Sequence, residues 1–237
     1  MLSDGKYQSR AHSMTSSHRL IVPTSQGDVV IDPIGTRVGI KISGGADSAM
    51  LSYLLGLYKR DVRDVELIPI TVISRVKPWQ DVYSRGVIRF IEEALGIQFE
   101  PHVIPEEHAE PDDYIEFQMR TIRSLYERDV LDCHFNGVNL NPDIDLDPKG
   151  RFERNRDRDP EESRKSEVYG KHGDNFTPFA NINKKGIAEL YRRYDLMETL
   201  FPITKSCENR ASRYLEMHCE VGCWWCLERK WGFGRLE

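Results

Sequence analysis

Apolar positions along the chain alternate between strand-like runs and helix-like periods. Residues 37–42 read as a strand, and residues 46–58 follow with apolar side chains nearly all round, as expected of a buried helix. Residues 65–73 (VELIPITVI) are almost continuously apolar, which suits a parallel strand covered on both faces. Residues 82–95 carry Val87, Ile91 and Leu95 at i, i+4 and i+8, and Gly96 is a natural helix stop. Residues 97–104 predict another strand. Residues 112–128 predict a helix with Ile115, Met119, Ile122 and Tyr126 on one stripe, and residues 131–135 a short buried strand. The order βαβαβαβ predicts an α/β fold, an open parallel sheet with helices on both faces.

Three stretches depart from this rhythm. Residues 20–36 alternate weakly around Gly27 and Gly35 and predict an edge hairpin. Residues 1–19 are polar and serine-rich, without the apolar core of a signal peptide, and read as a flexible tail. Residues 141–174 are rich in Asp, Arg, Glu, Pro and Gly with no hydrophobic period. They read as a solvated insertion, or as a lid that orders over substrate. Order resumes at 177–182, and Asn183 then caps a helix with Ile187, Leu190, Tyr191 and Tyr194 inward. No internal repeat is visible. This divides the chain into a tail (1–19), a main domain (20–200) and a cysteine-rich extension (201–237).

Composition changes little in this picture. The 237 residues are 39% hydrophobic and 30% charged, with a formal charge of −5. No apolar run approaches the roughly 20 residues that span a bilayer. The charge gives no whole-chain case for nucleic-acid binding, though a local basic groove stays open. Of five cysteines, Cys133 sits alone in an apolar strand and reads as core. The others, Cys207, Cys219, Cys223 and Cys226, fall in the last 31 residues. Without an export signal the expected compartment is the reducing cytoplasm, where clustered cysteines point to a metal before disulfides.

Two motifs carry chemistry. Ser43-Gly44-Gly45-Ala46-Asp47-Ser48 lies where a strand should end and a helix begin, at the sheet edge where ligands of such folds bind. Gly44 and Gly45 allow a tight turn and close approach to an anion. The helix start directs unpaired N–H groups at that anion, and Ser43 and Ser48 add hydroxyls. Asp47 cannot attract phosphate by charge; it suits Mg²⁺ or a helix cap. No Gly-Lys-Ser/Thr follows, so γ-phosphoryl transfer is disfavoured. The second motif is Cys207-x11-Cys219-x3-Cys223-x2-Cys226. Four thiolates so spaced can close a tetrahedron around Zn²⁺, and an iron–sulfur cluster is the rival.

The loop resembles the SGGxDS loop of the PP-loop ATP pyrophosphatases. That class, of adenine nucleotide α-hydrolase fold, cleaves ATP between the α and β phosphates and leaves the substrate adenylated. The stretch Asn183-Lys184-Lys185-Gly186-Ile187, then Ser206-Cys207, then Cys223-Trp224-Trp225-Cys226 onward to Phe233, is similar to the C-terminal part of 7-cyano-7-deazaguanine synthases, enzymes of queuosine biosynthesis. With the loop, the resemblance spans most of 37–233, with a gap at 141–174. It implies ATP, Mg²⁺ and Zn²⁺ as cofactors. It implies Cys207, Cys219, Cys223 and Cys226 as zinc ligands, Lys184 as a motif lysine near phosphate, and Gly137 at a second strand end facing the nucleotide. Thr71, at the end of the second strand, lies where the class contacts adenosine.

The departures are Cys219-x3-Cys223 where the family has Cys-x2-Cys, Asn183 where it has Thr, and Leu140-Asn141-Pro142-Asp143 where it has an aromatic and acidic recognition segment. The implied reaction is attack of a 7-deazaguanine-like carboxylate on the α-phosphate, then ammonia displacing AMP to give an amide. In the synthase a second activation yields the nitrile. Ser43, Ser48, Asp47 and Lys184 would carry the catalysis. Two alternatives stay open: a tRNA-thiolating relative, to which Arg151, Arg154, Arg156 and Arg158 lend slight support, and a non-catalytic nucleotide-binding partner. A protein or nucleic-acid acceptor is not favoured, and members of the class often form homodimers. His134 reads as a structural histidine or an acid–base group. Trp224 and Trp225 read as packing around the cysteines or as a stacking platform.

Overall fold

The computed structural model describes residues 18–148, 167–169, 173–207 and 223–237, with backbone alone for 167–169 and 173–174. The tail expected at 1–19 lies outside these residues except at its end. Cys219 and Arg151, Arg154, Arg156 and Arg158 also lie outside them.

A five-stranded sheet runs β4-β3-β5-β7-β6, with β3 (Arg37–Lys41), β4 (Glu66–Ile70), β5 (Cys133–Phe135) and β7 (Gly173–Phe176) parallel. β6 (Glu167–Tyr169) closes one edge antiparallel. Register places Val38 and Ile40 of β3 beside Leu67, Cys133 and Phe135 on one face. That face packs on α1 (Ala46–Asp61), α2 (Gln80–Leu95) and α4 (Lys184–Arg193) in the main core. The opposite face offers Ile68 and Ile70, which pack on Ile122, Leu125 and Tyr126 of α3 (Tyr114–Glu127). Helices therefore cover both faces, as the alternating pattern predicted. Gly39, facing α3, leaves room for Leu131, His134 and Ile70; a Cβ there would stand 3.0–3.1 Å from all three.

Expectation and structure differ in three places. The strand foreseen at 97–104 is reduced to one bridge, Ile70 to Val103, lying parallel to β4. Pro69 and Pro101 carry no N–H, so the facing edges cannot build a continuous ladder. In α3, Ile122 and Tyr126 are buried as expected, but Ile115 and Met119 of the same stripe are exposed. The helical period was right. The first turns of α3 lie beside Val72 and Ala109, past the last residue of β4, where no strand remains to cover them. Finally, β6 and the start of β7 fall inside the segment read as a patternless insertion; pairing to β5 is a tertiary contact that leaves no hydrophobic period in a short edge hairpin.

The predicted hairpin forms as β1 (Leu20–Thr24) and β2 (Gly27–Ile31), a separate antiparallel pair that buries Val22, Val29 and Ile31 in the main core. Its tip docks on the start of α4. Ser25 donates from N and Oγ to Glu189, and the Gln26 amide exchanges bonds with Asn183. Asn183 caps α4 as expected, its side chain accepting from Lys185 N. The cysteine-rich end forms α5 (Trp224–Phe233). It packs against α4, with Phe233 5.3 Å from Tyr191 and 4.3 Å from Phe201 between ring centres. Among the described residues no helix is long and apolar enough to cross a membrane.

Candidate functional site

The loop between β3 and α1 follows from its glycines. Gly44 takes φ +79°, and a Cβ there would lie 2.5 Å from Tyr83 Cβ, so only glycine lets α2 approach this turn. The turn is held from within: Ser48 Oγ accepts from Ser43 N, lies 3.2 Å from Ser43 Oγ and donates to Gly45 O. Gly137, just past β5, packs on the first turn of α1; a Cβ there would lie 3.1 Å from Asp47 C and Ser48 N. Tyr191 Oη donates to Ala46 O from α4. Ser43 to Ser48 and Gly137 are thus brought together at the carboxyl edge of the sheet, at the N-terminus of a 16-residue helix.

Two cavities with shared lining residues open there. The larger, about 270 Å³, is walled by Ile70, Val72 and Ile122 on one side and by Ser43, Asp47, Ser48, Asn136 and Gly137 on the other. Lys41, Lys77, Gln80, Tyr114 and Gln118 complete it. The smaller, about 70 Å³, shares Ser43, Asp47, Ser48, Lys77 and Gln80 and extends to Lys184, Lys205, Ser206, Cys207, Trp225 and Glu228. Thr71 itself points elsewhere: its hydroxyl donates to Ile42 O and meets His102 Nε2, clasping the ends of β3 and β4 while Ile70 and Val72 line the cavity.

Lys184, buried at the start of α4, stands 2.5 Å from Asp47 Oδ2 and 3.6 Å from Glu228 Oε2. Asp47 Oδ1 is buried and has no hydrogen-bond partner among the described residues. One carboxylate oxygen held by a cation and the other buried without a partner among the described residues would suit Mg²⁺, which favours carboxylate oxygen beside phosphate.

The cysteines gather beside this site. The sulfurs of Cys207, Cys223 and Cys226 all lie within 4.8 Å of one another, and Cys207 and Cys223 are 3.8 Å apart. Four sulfurs bound at about 2.3 Å to one tetrahedral zinc stand roughly 3.8 Å apart. A cubane carries its cysteines on separate irons and spreads them further. The three sulfurs fit a single ion, with a fourth ligand to be supplied. The hydrogen bond with Cys207, opposed by one from Cys226 and aided by burial, pushes the Cys223 thiol up to about 11. Arg229 is fully buried behind them and donates to Thr204 Oγ1, Ser206 Oγ, Phe201 O and Leu236 O. Burial lowers its pKa to about 10, which leaves it cationic near neutrality.

His134 lies in the middle of the central strand β5, with Nδ1 2.7 Å from Tyr126 Oη on α3, and burial drops its pKa to about 3. It stays neutral and structural at pH 7. Cys133 is fully buried in the core; Trp224 is buried and Trp225 lines the smaller cavity. The acidic turn before α3 is solvent-facing at Asp112 and Asp113.

Sequence reasoning did not single out Lys77, Gln80, Tyr114, Gln118, Asn136, Lys205 or Glu228 as site residues. Asn136 and Lys205 adjoin quoted motif residues and were within reach. Lys77 and Gln80 sit in a loop after the second strand, and only the fold carries them to Ser43.

No protein-family model matches this chain, and no curated protein matches it. Among solved structures it is similar to the U34-tRNA thiolase NcsA from Methanococcus maripaludis with its 4Fe-4S cluster: 18% identity and a TM-score of 0.47, over 68% of this chain and 57% of that one. A likeness of that degree carries no weight for activity, and the chain spans little more than half of that protein's length.

Proposed function

We propose that this chain is an ATP-using enzyme of the PP-loop class that adenylates a carboxylate and releases pyrophosphate, as 7-cyano-7-deazaguanine synthases do. The observation that carries the reading is the convergence of Ser43, Gly45, Ser48 and Gly137 on the N-terminus of α1, lining two neighbouring cavities that share Ser43, Asp47 and Ser48. Backbone N–H groups and a helix dipole there favour a polyphosphate, and the apolar wall of Ile70, Val72 and Ile122 suits a flat nucleoside.

An acceptor carboxylate oxygen attacks the α-phosphorus, the bond from that phosphorus to the α,β-bridging oxygen breaks, and pyrophosphate leaves with the electron pair. Loop amides, with Ser43 and Ser48, face the charge that develops on the leaving group. Asp47 would hold Mg²⁺, which neutralises phosphate charge when bound. Ammonia then attacks the acyl carbon, sheds a proton and expels AMP, leaving an amide. Cys207, Cys223 and Cys226, with Cys219 as the fourth ligand, would hold Zn²⁺; the sulfur spacing supports a single ion in a structural role.

A second reading, a tRNA-thiolating enzyme, has one observation in its favour: Cys207 lines the cavity that Ser43 and Asp47 share. One experiment separates the two. Pyrophosphate release from ATP is measured with 7-carboxy-7-deazaguanine and ammonium, or with tRNA and a sulfur donor, against Asp47→Ala, while metal analysis counts zinc, iron and sulfide. Carboxylate-dependent release with one zinc per chain supports the synthase-like reading. RNA-dependent release with iron and sulfide supports thiolation. Release with neither acceptor above the Asp47→Ala level would leave a nucleotide-binding partner.

A further inference from the structure

Resting on the ATP reading above, we infer that Gly232 and Glu228 of α5 are positioning residues. Gly232 receives the stem of Lys184 and Glu228, one turn earlier, meets its head, so that the cysteine-bearing helix sets the Asp47 carboxylate. Lys184 stands where local rules disfavour it. It is the first residue of α4 and only 3% exposed. A cation at the positive end of a helix is unfavourable, and burial adds to the cost. Tertiary contacts must therefore hold it there.

Two of those contacts are carboxylates, Asp47 Oδ2 at 2.5 Å and Glu228 Oε2 at 3.6 Å. The third is Gly232. A Cβ there would run into Lys184 Cγ and lie 2.7 Å from Lys184 Cβ and 2.9 Å from its carbonyl carbon. Ordinary carbon contacts are about 3.5–4.0 Å. These atoms are backbone and the root of the side chain, which cannot swing aside, so glycine is what lets the lysine lie on α5. Gly232 is not among the glycines with positive φ, so it serves space and not backbone conformation. Glu228 and Gly232 are four residues apart and share one face of the helix. The same helix starts from Cys223 and carries Cys226, two residues before Glu228. Phe233 of α5 also packs on Tyr191, whose Oη donates to Ala46 O, next to Asp47. A shift of α5 thus reaches Asp47 through Lys184 and through Tyr191. The grip of Lys184 on Oδ2 fixes the direction of Oδ1, the oxygen that would take Mg²⁺.

The test measures ATP binding by calorimetry, in Mg²⁺-free buffer and with Mg²⁺, to the full metal-loaded chain as wild type, Gly232→Ala, Glu228→Gln and Gly86→Ala. The last is a matched control, a glycine inside α2 where a Cβ would have nothing within 4 Å. Misplacing the carboxylate by about 1 Å predicts that the affinity gained from Mg²⁺ falls about tenfold or more in Gly232→Ala. Glu228→Gln should lose less in the same direction, and Gly86→Ala should match wild type. ATP affinity without Mg²⁺ should stay within about twofold throughout, and bound metal, by elemental analysis, should equal that of wild type. Where Gly232→Ala does not fold, Glu228→Gln decides by the same readings. An undiminished Mg²⁺ gain in both variants overturns the assignment. So does parallel loss of Mg²⁺-free ATP binding or of cysteine-bound metal, which would make α5 a packing element alone. Wild type that binds ATP with no gain from Mg²⁺ sinks this inference and leaves the ATP reading standing. Wild type that binds no ATP sinks both.

Discussion

The two ends of the parallel sheet hold their charges differently. At the amino end, Asp132 before β5 accepts from Thr36 N, Arg37 N, Arg37 Nε and Arg37 Nη2, all at 2.6–3.2 Å. Burial alone would raise this carboxyl, but the Arg37 guanidinium and the two backbone donors hold it at about 2. At the carboxyl end, Lys184 is shared unequally between Asp47 and Glu228, and one Asp47 oxygen is buried without a partner among the described residues. The amino end is a satisfied pin. The carboxyl end is left incomplete around two cavities, as expected where a ligand must finish the electrostatics.

Matched substitutions sharpen the contrast. Asp47→Asn should cut acceptor-dependent pyrophosphate release by about 10²–10³-fold with a small change in melting temperature. Asp132→Asn should leave release near wild type and cost about 1–3 kcal/mol in urea unfolding, toward the low end because both partners are partly solvent-exposed. Next in size, Lys184→Met leaves the buried Glu228 and the partly buried Asp47 without their shared cation and should cost about 3–5 kcal/mol; adding Glu228→Gln should recover part of that. A double-mutant cycle in urea reads both.

Glycine allows a smaller, cleaner comparison. Gly35 and Gly44 both have positive φ, and a Cβ would lie 2.4 Å from Asp132 Cβ and 2.5 Å from Tyr83 Cβ respectively. Alanine at either position should cost at least about 1–2 kcal/mol, yet only Gly44→Ala should raise KM for ATP. Equal KM values would mean the Gly44 turn does not contact the nucleotide.

The last effect is on pH. His134 and His102 have pKa values lowered to about 3 and about 4 by burial. Both lie below the ordinary 6.5, so the unfolded chain binds protons that the folded chain refuses. Stability should therefore fall as pH drops from about 7 to 4. His134→Gln should flatten that slope by up to about 1.4 kcal/mol per pH unit. Asp132 acts lower: its contribution is complete above the unfolded carboxylate value and is lost as pH falls toward about 2.

Much of this was legible. Runs at β3 and β4 and the periods of α1, α2 and α4 are burial patterns, and burial pattern is what a sequence writes directly. The loop was legible because its two glycines and two serines are local requirements of a turn. Asn183 was legible as a cap for the same reason. The exposure of Ile115 and Met119 was not, because a helix period fixes an angle and says nothing of where the sheet beside it stops. The role of Thr71 was not, because strand-end position does not say whether a hydroxyl turns to a cavity or to His102.

The sequence by itself determined the alternation of strands and helices, the tight glycine–serine turn before α1 and a cysteine set able to hold a metal, since each depends on residues close in the chain. The tertiary structure decided that Lys184, 44 positions from Glu228, meets both that residue and Asp47, and that Lys205 and Cys207 line one cavity with the Ser43–Ser48 loop. Those juxtapositions follow from α4 and α5 packing on each other and on the sheet. Contacts between distant segments arise from burying shared apolar surface, which no local spacing records.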